Sequence, residues 1–474
     1  MLQALVAPLV LALAGREVLG AYAIIYQALA YLALMDFGSV QALERYLAQC
    51  VGRPDADGEF REIFTAFRAF LLCSNLAFSG LVLLFAARFA SMFSMSGVLL
   101  HDARVGLICI ALWALLRTPL SAFGSALIAT QNLAAINVIA TMSNALRLVL
   151  SVVFLKMHLS LLGLMWAALG AEILGTLVSR YIFLRKYPGR APLWEWRLLA
   201  AMRRVRGMWS YSANAFVVQL TTVIIFNSAA LFAGWMHGPV AASVLYTTQL
   251  PGLVAYNVVF RLHDNFGPAL NEMWGSADNT GFARAFRHLA DASLALSATV
   301  GCGILLFNGR VITAWVGGVQ YAGILATVAV AVAAVSYTFD HLYGQLVLVV
   351  GDAKVLARVC CVQAIAYLIA VIVLGRYLGV GGILLAGPVT DLPKMFYLRN
   401  WLYRRVQPSH SSDYRALVQF AGGLTLAVLA CLWYFRTFGT AWTRLNLITG
   451  IVLFGVFVLV GCMRLLPLRR LLRA

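Results

Sequence analysis

Charge is scarce in this chain. Asp, Glu, Lys and Arg together make up 11% of its 474 residues, and only 18 of them are acidic. About a quarter of a soluble globular domain is charged, so this shortage, beside 62% hydrophobic side chains, excludes a water-soluble fold and sets the class as an all-α polytopic membrane protein. No phosphate-cradling loop of Walker type occurs, which argues against direct use of ATP. The eight cysteines fall mostly inside apolar runs, with no C-x-x-C and no Cys/His cluster. They read as packing thiols, and no metal or cofactor is expected. No outer loop is long enough to form a catalytic domain, and the nominal D-x-D at Asp55 and Asp57 reads as solvated loop, so the chain is not expected to be an enzyme. No removable signal peptide is expected either: "MLQALVAPLVLALAG" has no basic leading segment. It reads as a first spanning helix, shortened, because its apolar run before Gly15 falls below the roughly 17 to 25 residues needed to cross hydrocarbon.

What the chain does hold is a long series of apolar stretches. Six lie between residues 2 and 184, six between 209 and 403, and two more at 414–436 and 446–463, giving about fourteen transmembrane helices. Placing the N-terminus in the cytoplasm puts about three basic residues inside for each one outside. Most of the formal +18 is therefore topological, both termini are expected in the cytoplasm, and nucleic acid is not needed to explain the charge. The expected organisation is a lobe over 1–184, a basic interfacial linker over 185–208, a second lobe over 209–405, and two appended helices over 406–474. The linker mixes aromatics with arginines, which suits a helix lying on anionic membrane lipid.

The second group of helices echoes the first at an offset of about 220 residues. "GSALIATQNLAAINV" (124–138) lines up with "GQLVLVVGDAKVLAR" (344–358), and "DADGEFREIFTAFR" (55–68) with "SADNTGFARAFR" (276–287). Each expected repeat has an even number of helices, so both begin on the same side, and a symmetry axis along the membrane normal is expected. Such repeats are common in transporters.

These residues carry a family resemblance. "GREVLGAYAIIYQALAYLALMDFGSVQALERYLAQ" (15–49), "VITAWVGGVQYAG" (311–323) and "GDAK" (351–354) resemble signatures of the polysaccharide flippase branch, for O-antigen or exopolysaccharide units, of the multidrug, oligosaccharidyl-lipid and polysaccharide exporter superfamily. The resemblance implies a transporter in the bacterial inner membrane. Its substrate would be a polyprenyl-pyrophosphate-linked oligosaccharide, moved from inner to outer leaflet by alternating access. A polysaccharide polymerase and other assembly proteins are the implied partners. A cation-coupled multidrug antiporter of the same fold is the main alternative, and a membrane polymerase or ligase a lesser one.

Buried charges supply the candidate site. An Arg at mid-helix costs about 2.5 to 3.5 kcal/mol on insertion scales, so Arg147 in "ATMSNALRLVLSVVFL" and Arg117 need a gain that offsets it. One reading is that their guanidinium forks hold phosphate oxygens at membrane depth. The other pairs Arg147 with Glu172 on the next helix and binds nothing. Asn214, Gln219 and Asn227 are candidates to bond sugar hydroxyls, or a neighbouring helix. Asp340, Glu172 and Asp291 lie within spans and are candidates for ion coupling. Asp391 and Lys394, three apart on one helix, are expected to pair with each other. Asp36 is expected to cap a helix break.

Overall fold

The computed structural model describes residues 2–31, 34, 39–51, 57–189 and 209–406. Twelve α-helices run through them: α1 (Leu2–Leu13), α2 (Arg16–Ala30), α3 (Ser39–Val51), α4 (Asp57–Met92), α5 (Gly97–Ala129), α6 (Leu133–Lys156), α7 (Ser160–Lys186), α8 (Trp209–Phe226), α9 (Ala229–Gly275), α10 (Asn279–Val316), α11 (Ile324–Val349) and α12 (Ala353–Val406). No strand occurs among the described residues. Among the described residues eight helical stretches are long and apolar enough to cross a membrane, so the chain is a multi-pass membrane protein. The appended helices, most of the linker and Asp36 lie outside the described residues. The described part divides into two compact units, Met1–Ser243 and Val244–Ala474.

Turns at fixed spacing organise both units. The α5–α6 turn is closed by Thr130 N–H to Ala126 O, Gln131 N–H to Ile128 O and Asn132 N–H to Leu127 O. The α11–α12 turn repeats the same three bonds 220 residues later, from Val350, Gly351 and Asp352 to Leu346, Leu348 and Val347. Both turns place their middle residue in the left-handed region, Gln131 at φ 58° and Gly351 at φ 89°. The repeat read from residues 124–138 and 344–358 is thus written into backbone hydrogen bonds.

In the first unit α4 packs on α5, α5 on α7, and α6 on α7. Phe60 and Phe64 of α4, Phe123 of α5 and Phe183 of α7 form one aromatic cluster, with Phe64 edge-on to Phe123 at 5.2 Å between centroids. The α6–α7 hairpin closes through small residues. A Cβ on Gly163 would lie 2.8 Å from the Cβ of Phe154, and one on Gly175 would lie 2.6 Å from the Ser143 hydroxyl. Lipid tails are as apolar as Leu, so close backbone approach, rather than expulsion of water, drives such pairing. At one end of the hairpin Asn132 donates to the Tyr187 hydroxyl at 3.1 Å and accepts from Lys186.

Two expected helices differ in detail. The stretch read as one span from 18 to 48 forms α2 and α3, with α2 ending at Ala30 and α3 starting at Ser39. The stretch from 209 to 235 breaks after Phe226: Gln27 accepts the freed Ala230 N–H at 2.6 Å, while at the break the Ser228 hydroxyl bonds that of Tyr31. Within hydrocarbon a freed amide needs such a partner. The spans expected as separate at 353–377 and 380–403 are indeed two helices, meeting within α12 at a non-helical Gly379 with φ 58°.

Candidate functional site

Arg147 rises from the middle of α6 into a cavity of about 780 Å³ within the first unit. Helix α2 brings Tyr22 and Tyr26, one turn apart, under its guanidinium. Nη2 of Arg147 donates to the Tyr22 hydroxyl at 2.6 Å. Its Cζ stands 5.0 Å from the Tyr26 ring centroid and 5.9 Å from that of Tyr22, and the two rings stack at 6.1 Å. A desolvated cation over an aromatic face gains about 2 kcal/mol, and a hydrogen bond to a charged group about 1.5 to 3 kcal/mol. Together these are of the size of the insertion penalty. The tyrosine platform therefore accounts for how the cation is held at this depth, while the guanidinium still fronts the cavity.

Other polar groups on the wall are tied to their own helices. Asn75 donates to Leu71 O, Asn144 to Ala140 O, Thr176 to Glu172 O and Ser179 to Gly175 O, each four residues back. This back-bonding satisfies their donors without a partner helix. Glu172 and Asn227 line the same cavity. The wall so assembled, one guanidinium with two phenols, amides and hydroxyls, can accept a phosphorylated, hydroxyl-rich group.

The expected site residues do not all meet here. Arg147, Glu172 and Asn227 line the cavity; Asn214 and Gln219, half-buried on α8, are not among its lining residues. Arg117 lies in α5, but its side chain is outside the described residues. Asp291 is exposed on α10. Sequence reading missed Tyr22 and Tyr26, although a Tyr pair at i and i+4 facing an arginine-bearing span was there to be seen in "AYAIIYQ".

Asp340 sits in the second unit, and its partner corrects an expectation. Lys394 reaches across to α11, with Nζ 2.8 Å from Asp340 Oδ2, rather than forming the expected pair with Asp391 on its own helix. Asp391 instead accepts from Gln363 Nε2 at 2.9 Å. Side chains three apart on α12 share a face, but the antiparallel packing of α11 offers Lys394 a carboxylate at better reach. Nearby, His341 Nε2 lies 2.9 Å from Asp264 Oδ1, and His263 bonds the Ser293 hydroxyl at 2.7 Å.

Comparison with known proteins adds two kinds of finding. Residues 1–263 match the family described as polysaccharide biosynthesis protein. Among solved structures, an inward-facing multidrug resistance transporter of the MATE family and MOP superfamily aligns with TM-score 0.70 at 13% identity, covering 86% of this chain and 94% of its own. The lipid II flippase MurJ, in an inward closed conformation, aligns with TM-score 0.68 at 14% identity, covering 96% and 95%. A MOP superfamily transporter from Pyrococcus furiosus aligns with TM-score 0.61 at 14% identity, covering 85% and 91%. At these identities the likeness is one of fold. No curated protein matches the sequence.

Proposed function

The chain belongs to the polysaccharide biosynthesis protein family, and on that premise we propose that it flips a polyprenyl-pyrophosphate-linked oligosaccharide from the inner to the outer leaflet of a bacterial inner membrane by alternating access. The observation that carries this reading is Arg147, a fixed cation held by Tyr22 and Tyr26 on the wall of a cavity within the first unit. A pyrophosphate headgroup crossing hydrocarbon needs a charge of opposite sign along its path. Arg147 meets the phosphate oxygens, with Arg117 as a second cation, and the amide of Asn227 meets sugar hydroxyls. The fold shared with the lipid II flippase supports transport of a lipid-linked group, and that shared with the multidrug transporter supports a rocking mechanism. Coupling to an ion gradient falls to the membrane carboxylates Glu172, Asp340 and Asp291. A polysaccharide polymerase would take up the product on the outer side.

The test is leaflet exchange of a fluorescent polyprenyl-pyrophosphate oligosaccharide in liposomes carrying the purified protein. Wild type exchanges the lipid; Arg147→Ala inserts normally but loses exchange at least tenfold; Arg147→Lys keeps part of it, since an ammonium supplies charge without the bidentate fork. Unchanged exchange in the alanine variant removes Arg147 from the site. Efflux of cationic dyes with no lipid exchange would favour the multidrug antiporter instead.

A further inference from the structure

The polar cluster in the second unit has one positive charge for two carboxylates. Lys394 is 2.8 Å from Asp340, yet Asp391, one turn away on the same helix, is also among its neighbours. Asp391 is 0% exposed, Gln363 3% and Lys394 8%. One oxygen of Asp391 is bonded by Gln363 Nε2, and its Oδ2 is buried. The Ser336 hydroxyl of α11 also stands beside this carboxyl, so the buried cluster has neutral donors but a single cation for two carboxylates. An ionised carboxylate left in that state is strongly disfavoured.

We propose that Asp340 and Asp391 share the single Lys394 ammonium, and that the cluster binds one proton, carried on Asp391 while Lys394 is paired with Asp340. The proposal rests on the transport reading only for its use, which would be coupling. The chemistry is a simple exchange: uptake forms one O–H bond on Asp391 Oδ2, and release breaks it as the Lys394 ammonium moves to the bared carboxylate. Nothing is oxidised or reduced. The proton comes from water and returns to it: with it bound the cluster is neutral, and without it two carboxylates share one ammonium. Around Asp391 stand Asp340 and Tyr337 of α11, Lys394, Cys360 and Tyr367 of α12, and, beyond Tyr337, Tyr256 of α9. No second cation is among them, so one proton balances the charge. Access is graded outward. Asp340 is 14% exposed, and the His341–Asp264 pair beyond it is 26% and 40% exposed, a polar pairing that suits water rather than acyl chains.

Infrared difference spectroscopy of the purified full chain in nanodiscs reads this directly, through the C=O stretch of a protonated carboxyl group and its shift in deuterium oxide. Wild type in sodium-free buffer at neutral pH is expected to show the band, and Asp391→Asn to lose it. Asp340→Asn is expected to lose it too, because the freed Lys394 turns to Asp391; a merely structural Lys394–Asp340 pair predicts that the band survives there. Asp391→Glu should retain a band and guards against misreading a misfolded variant. Absence of the band in wild type, or its removal by added sodium, overturns the proposal, the latter in favour of a metal cation. If the band behaves as stated but no lipid exchange is found, the proton site stands and the flippase reading fails.

Discussion

Tyr22 does more for Arg147 than fill space. Its hydroxyl accepts a short hydrogen bond from the guanidinium at 2.6 Å, and its ring supports the cation from below. Replacing Tyr22 by Phe keeps the ring and removes the bond, so a loss of about 1.5 to 3 kcal/mol in stability is expected, read as a lower Tm in detergent. Slower leaflet exchange should accompany it, because the guanidinium loses its fixed aim. An unchanged Tm with unchanged exchange would show that Tyr26 alone holds the cation. Arg147 itself was legible in the sequence because a permanent charge amid apolar residues demands a compensating gain. Its platform was not, since tyrosines one turn apart in a membrane helix look the same whether they pack in a core or carry a cation. The choice of Lys394 between two carboxylates was equally hidden: Asp391 is three residues away and Asp340 fifty-four.

At the scale of elements, the two matched turns offer a comparison inside one molecule. Gln131 and Gly351 hold the same left-handed position with the same three backbone bonds, yet only glycine holds it without a Cβ penalty. Gln131→Gly is expected to raise stability and Gly351→Gln to lower it, each by about 1 kcal/mol, as thermal unfolding in detergent would show. Opposite signs are the content of the prediction, and equal signs would mean that the turns are not equivalent. A second element carries a pH dependence. Asp278 caps α10 by accepting the Gly281 N–H at 2.9 Å and the Thr280 hydroxyl at 3.0 Å. The Gly281 amide, with Thr280 and Arg284, holds its carboxyl below the ordinary value of 3.8. A lowered folded-state value means the cap's stabilisation is fully present above 3.8 and fades as pH falls through the lower folded-state value. Hydrogen exchange in the first turn of α10 should therefore be slow above that range and accelerate below it, whereas Asp278→Ala should exchange fast throughout.

For the whole molecule, the distribution of lysine and arginine sets an orientation that labelling can check. In a cysteine-free background, Met157→Cys in the α6–α7 turn is expected to react with an impermeant maleimide from outside the cell. Arg185→Cys, at the far end of α7, should react only after the inner face is opened. The reverse pattern would invert the topology and with it the proposed direction of transport. The repeat was legible over residues 124–138 and 344–358 because helix ends and turn residues are local features, fixed by which positions tolerate a left-handed backbone. The break within α12 was legible as well, between the spans 353–377 and 380–403; the one at Phe226 was less so. Nothing in "TTVIIFNSAALFAGW" demands an interruption until Gln27 is seen to accept the freed Ala230 N–H.

By itself the sequence determined that this chain lives in a membrane, that it is helical, that its turns repeat, and which charges would be expensive to bury. Those properties follow from composition and short-range periodicity, where each residue's contribution is nearly independent of distant ones. Tertiary structure alone decided which groups meet those charges: a pair of tyrosines for Arg147, and Asp340 rather than Asp391 for Lys394. The reason is geometric. Partnership across helices depends on the rotation and depth at which two helices pack, and a change of one residue in that register turns a different side chain toward the cation.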